Sequence, residues 1–170
     1  MAASPSIMSA PHQGPATASL PNRPGEPEFQ LGLNQTCIPF PGGRFGVPQY
    51  IDLQITNNSA ERQTFKVKCT SAELFRVQPP MGMVKKGESY RVRLWFQNKT
   101  LQDLKVARHY FAIYHMRCDA SVTDQMSREL WKRDAKFEGV RRLPVIFHQP
   151  QGVPPGVAGA SPAAPAPPPQ

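Results

Sequence analysis

Long apolar runs are missing from this chain. Nowhere do eighteen apolar residues follow one another, and the first thirty residues hold no continuous apolar stretch. Neither a membrane span nor a secretion signal is therefore read, and the chain is expected to be cytoplasmic. Cysteine is scarce: Cys37, Cys69 and Cys118 are too few and too widely spaced for a disulfide framework or a zinc site, so all three are expected to be reduced thiols. The triplets at Asn34, Asn57 and Asn98 fit the glycosylation sequon, but a cytoplasmic chain cannot use them.

Groupings that carry chemistry are equally thin. An enzyme needs a positioned acid, base, nucleophile or metal. Here the acidic residues stand singly, and the Gly42 and Gly43 pair does not run on into a phosphate loop. His109 and His115 share one face of a strand near Cys118, yet no third ligand arrives at usable spacing. The chain is expected to be no enzyme and to need no cofactor. An aromatic-glycine RNA-binding strand, zinc-finger spacing and a run of five basic residues are all absent too, so a nucleic-acid partner is not expected.

What the chain does have is charge of one sign, held in its middle. The net charge is +8, and nineteen of the twenty Lys and Arg residues lie between residues 29 and 150, with ten of the twelve Asp and Glu. Such a surplus suits an acidic partner or an anionic surface. Six of the twenty prolines precede residue 28 and eight follow residue 148. Residues 1–28 and 151–170 are therefore read as disordered Pro/Ala-rich segments flanking one domain, residues 29–150. Residues 162–169, free of charge, have the composition of a polyproline II ligand for an aromatic groove, or of a spacer.

Inside the domain the dominant signal is period two. Phe65, Val67 and Cys69 alternate with Thr64, Lys66, Lys68 and Thr70, which gives a strand with one core face and one basic face turned to solvent. Ile51, Leu53 and Ile55 alternate with Asp52, Gln54 and Thr56 before the turn chemistry of residues 57–59. Tyr90, Val92, Leu94 and Phe96 alternate with Arg91, Arg93 and Trp95, while residues 109–116 are apolar on both faces, as a central strand would be. Shorter extended pieces are read at residues 38–43, an edge segment ending in a turn, and at residues 74–78 and 141–147, with Pro39, Pro41 and Pro48 blunting one sheet edge. One helix is expected over residues 121–136, with Val122, Met126 and Leu130 as its apolar stripe. Short strands, frequent turns and one brief helix make the fold all-β, a β-sandwich.

In their order these pieces resemble the major sperm protein (MSP) domain family. The carriers are Leu53, Ile55, Asn57 and Ser59 in a hydrophobic-x-hydrophobic-x-Asn-x-Ser segment, then residues 65–68, then residues 75–80 with Gly82 following. The close, residues 128–131 followed by residues 139–147 and Pro150, is similar to that of the nematode sperm proteins. The resemblance covers roughly residues 30–150. It implies an immunoglobulin-like (PapD-like) seven-stranded sandwich.

Two branches of that family imply different partners. The VAP branch reads acidic FFAT peptides, and its groove resembles this chain at Lys66, Lys68, Thr70 and Arg142. Cys69 stands where that groove has a second threonine, and residues 110–112 stand where it has Lys-Phe-Met. The membrane helix of that branch is replaced here by a proline-alanine tail. The sperm branch consists of cytoplasmic proteins that assemble into the filaments of amoeboid motility, with accessory relatives that modulate their growth. The flanking tails, which the filament subunit lacks, point to an accessory protein. The resemblance thus implies a cytoskeletal protein binding MSP filaments or their regulators, with a VAP-like adaptor as the alternative. The blunted edge adds the expectation of a monomer or weak dimer.

Overall fold

The alternating stretches become strands in the computed structural model of the protein, which describes residues 20–41, 46–99, 104, 108–132 and 135–148. Nine strands form: β1 (Gly32–Leu33), β2 (Ile38–Pro41), β3 (Gln49–Thr56), β4 (Gln63–Cys69), β5 (Phe75–Gln78), β6 (Met81–Val84), β7 (Ser89–Phe96), β8 (Tyr110–Arg117) and β9 (Gly139–His148). They make two sheets, β1-β3-β7-β5 and β2-β9-β8-β4-β6. The two strands beyond the expected seven are β1 and β6, short pieces added beside β3 and β4. β5 and β6 belong to different sheets, so the chain crosses between layers at Pro79 and Pro80.

The core lies between the sheets, where the period-two pattern sends its apolar residues. Phe65 and Val67 of β4 meet Val92, Leu94 and Phe96 of β7 in one cluster with Leu53, Ile55, Phe111, Ile113 and Leu143, and Cys69 packs against it half-buried. At one end Phe40, Phe75, Phe96 and Phe111 are in ring contact at centroid distances of 5.2–6.2 Å. Each buried phenyl group contributes about 1.5–3 kcal/mol of transfer free energy. β8 is central, as its two apolar faces require, and β2 with Pro39 and Pro41 is an edge strand.

Asn57 explains the Asn-x-Ser signature. Its side chain is fully buried and donates to the carbonyls of Glu61 (2.7 Å) and Val84 (3.0 Å). Its Oδ1 accepts from the Ser59 amide (2.9 Å) and hydroxyl (2.6 Å). One amide thus satisfies the turn backbone between β3 and β4 and ties it to β6. The turn between β6 and β7 bends at Gly87, whose φ of 74° suits glycine.

Two expectations change. The helix, α1 (Asp124–Leu130), is shorter than residues 121–136 and starts at Thr123, whose side chain accepts from the Met126 amide. Its stripe faces outward: Met126 is 49% and Leu130 41% exposed, while Ser127 and the following Trp131 are buried. Hydrogen bonding selects that face, because the Trp131 indole and the Ser127 hydroxyl find partners on β4. The N-terminal segment also changes. Residues 20–28, grouped by composition with a disordered segment, lie along β9, with a bridge between Leu20 and Arg142 and a bond from the Val140 amide to the Pro27 carbonyl (3.2 Å). Residues 1–19, residues 151–170 and most of the connection at residues 98–105 lie outside the described residues. Among the described residues no helix is long and apolar enough to cross a membrane.

Candidate functional site

The basic face of β4 is the outer face of the five-stranded sheet, and register decides what stands beside each of its residues. Lys66 lies opposite Tyr114 and Lys68 opposite Ala112, while on the far side of β8 Val140 faces Tyr114, Arg142 faces Ala112 and Pro144 faces Tyr110. Thr70 follows at the end of β4, its amide donating to the Tyr110 carbonyl (3.3 Å). The four residues singled out from sequence, Lys66, Lys68, Thr70 and Arg142, therefore come to one sheet face. Their environments differ.

At the Thr64 end the face is covered. Thr64 is fully buried; its hydroxyl donates to the Gly82 carbonyl (3.1 Å) and accepts from the Ser127 hydroxyl (2.7 Å) and the Trp131 indole (3.0 Å). Lys66 is half-buried and donates to the Trp131 carbonyl (3.1 Å). Burial, with the neighbouring Lys68 charge second, lowers its ammonium pKa below the usual range. The strip expected to be open to solvent is thus open only in its second half.

That half contains Lys68 and Thr70, both exposed. The Lys68 ammonium lies 5.5 Å from the Tyr114 ring centre, and Tyr114 is met edge-on by Phe137 at 5.0 Å. The Thr70 hydroxyl lies 3.4 Å from His109 Nδ1. Lys68 and Thr70 therefore offer a charge and a hydroxyl beside an aromatic wall.

Arg142, expected as a partner-binding residue, is not a free cation in the structure. It is 5% exposed, and its guanidinium holds Glu26 through two bonds of 2.6 and 2.7 Å. The Glu26 carboxylate also accepts from the Arg23 amide (2.8 Å), and Asn22 clamps the same turn by donating to the Pro27 carbonyl (3.1 Å). Arg142 holds the Glu26 carboxyl down at about 2, and Glu26 holds the guanidinium above its usual value. Sequence reasoning missed Glu26, Tyr114 and Phe137. One signal for Glu26 existed: the only three charges of residues 1–28 are Arg23, Glu26 and Glu28, all in its last six positions.

At the far end of the sheet His115 is fully buried. Its Nε2 accepts from the Gln30 amide (3.2 Å), so its Nδ1 carries the proton and donates to Gln63 Oε1 (3.1 Å). Burial lowers its pKa, and the ring is a structural, neutral group. His109, on the same face, belongs to the aromatic cluster of Phe75 and Phe147. Among the described residues no three His, Cys, Asp or Glu side chains gather as a metal site.

Comparison with known proteins agrees with this architecture. The profile of the MSP (Major sperm protein) domain matches residues 35–136. The Caenorhabditis elegans uncharacterized protein R05D3.5 is 36% identical, with 77% of this chain and 83% of its own length aligned. Among solved structures, WR4, a C. elegans MSP family member, has a TM-score of 0.56 at 19% identity and covers 69% of this chain and 97% of its own. SSP-19, an MSP-domain protein like family member of C. elegans, has a TM-score of 0.54 at 18% identity, covering 68% and 98%. At such identities the two structures speak for the fold.

Proposed function

Because this chain belongs to the MSP domain family, we propose that it is a non-enzymatic structural protein that binds MSP filaments, or the proteins that regulate their assembly, in the cytoplasm of sperm. The family match carries this reading. The geometry supports it with an interaction surface rather than a reaction centre: Lys68 and Thr70 stand exposed beside Tyr114 on a rigid sheet. A monomer or weak dimer fits β2, whose prolines limit edge pairing. Co-sedimentation of the purified protein with MSP filaments, with their growth rate measured in its presence, tests the proposal. No co-sedimentation and no change in growth would refute it, as would expression confined to tissues outside the male germ line.

One observation favours a second reading, a VAP-like adaptor for acidic extended peptides. Residues 20–28 already lie along β9 and deliver a carboxylate to Arg142 from the turn at residues 23–26, so this face accepts an acidic side chain from a neighbouring segment. Lys68 and Thr70 would supply the remaining polar contacts, each exposed charge pair contributing about 0.2–1 kcal/mol and weakening with salt. Calorimetry with an acidic FFAT peptide at low salt should give heat that falls in Lys68→Glu. Absence of heat removes the adaptor reading and leaves the first untouched.

A further inference from the structure

The opposite face of the sandwich carries a second surface, which the proposed function does not use. On the outer side of the four-stranded sheet, Tyr50 of β3 stands opposite Trp95 of β7, with ring centres 5.0 Å apart. Tyr50 is 52% exposed, among the most open large hydrophobic side chains described. Arg93 fixes the pair: its guanidinium carbon lies 4.0 Å from the Tyr50 ring centre, and Asp52 holds it by bonds of 2.8 and 3.1 Å. Beside the rings runs a groove of about 350 Å³, lined in part by Pro48, Leu74, Arg76, Trp95 and Gln97. The Trp95 indole N–H is buried, and among the described residues it donates to nothing. A buried donor without an acceptor is uncommon in folded proteins.

Two adjoining aromatic rings and an unused N–H donor are what a polyproline II segment requires. Such a segment makes no internal hydrogen bonds, so its carbonyls need outside donors, and its flat rings pack on aromatic faces at small entropic cost. The guanidinium nearest the rings is already paired with Asp52, and Glu73, Arg76 and Lys99 also line the groove. We propose that this groove binds a proline-rich segment, and that its occupant is residues 162–169 of the same chain. That stretch is uncharged and holds five prolines in eight residues. It also starts from the right end of the molecule. Phe147, next to last in β9, packs on Phe96 at 4.9 Å and on Phe75 at 6.5 Å, residues adjoining Trp95 and Arg76 in their strands. The fourteen peptide steps from His148 to Pro162 span at most about 50 Å.

The test uses the full chain and its two tryptophans. NMR resolves both indole N–H signals, and Trp95→Phe assigns them by removing one. In the full chain the Trp95 signal should lie downfield of its position in a variant with Pro162, Pro165, Pro167, Pro168 and Pro169 all changed to Ala, at every protein concentration. The Trp131 signal, unchanged between the two, reports that the fold is intact. Free peptide of residues 161–170 added to that variant should restore the shift saturably, and Tyr50→Ala should abolish the response. Identical Trp95 signals in both chains with no response to the peptide would overturn the proposal. So would an equal response to the Pro→Ala peptide or to a glutamate-rich one. A shift that appears only at high protein concentration would overturn the intramolecular seat.

Discussion

Glu26→Gln tests the contact on which the accessibility of the basic face turns. Arg142 is almost fully buried and meets Glu26 in a bidentate pair, so the neutral amide leaves a guanidinium under residues 20–28 with one of the two acceptors and none of the counter-charge that Glu26 supplied. Removing one partner of a buried pair costs about 3–5 kcal/mol when the surroundings cannot respond. The depression of the Glu26 carboxyl from 4.5 to about 2 gives a second figure, about 3 kcal/mol at neutral pH. Both are ceilings here. The segment can lift away and let water reach Arg142, so the loss stops at the free energy that holds residues 20–28 down. We expect urea denaturation at pH 7 to show a loss of about 1–3 kcal/mol, with faster amide exchange in residues 22–27 than in the wild type. The exposed Glu28→Gln, equal in charge change, should cost about 0.5 kcal/mol or less. The pH dependence has a definite sign. A carboxyl depressed by folding stabilises above its unfolded pKa, and that contribution is lost as pH falls from about 4.5 to about 2, so wild type and Glu26→Gln should converge there. Equal stability of Glu26→Gln, Glu28→Gln and wild type at pH 7, or a difference that persists at pH 2, would refute the reasoning.

Val67→Asp should cost several kcal/mol, comparable with the whole stability of a small domain, because its carboxylate would enter the sheet interface unpaired; thermal melts measure it. Lys68→Asp, one residue on and exposed, should stay within about 0.5 kcal/mol, while Lys66→Asp should cost more, about 1–2 kcal/mol, since it loses a charged bond to the Trp131 carbonyl. Equal damage from Val67→Asp and Lys68→Asp would mean that β4 is buried on both faces. Gly139→Ala should destabilise strongly, because a β-carbon there meets the His115 ring and the Glu28 carbonyl, neither able to yield; an unchanged melting temperature would contradict that packing. His115, whose pKa is lowered by burial, binds a proton more readily in the unfolded chain, so stability should fall as pH drops through about 6.5. That slope, read by denaturation at several pH values, should diminish in His115→Gln.

The strands and their faces were legible because period two is a local property. Every second residue of β4 and β7 points the same way whatever lies opposite, so Phe65, Val67, Val92, Leu94 and Phe96 could be assigned inward from the alternation alone. The turn at Asn57 and the edge position of β2 were legible for a similar reason, since amide and proline chemistry act within a few residues. On the same basis Lys66, Lys68 and Thr70 could be placed on one face.

What covers that face could not be read. Thr64 is buried by Ser127 and Trp131, 63 and 67 residues away in sequence, and Arg142 by Glu26, 116 residues away. The apolar stripe of α1 misled because helix periodicity ranks side chains by hydropathy, whereas this helix docks through an indole and two hydroxyls, leaving Met126 and Leu130 outside. Sequence alone fixed where each side chain points along its strand. Only the tertiary structure decided which of those directions meet solvent, because burial comes from pairing distant segments, and no local pattern records the partner.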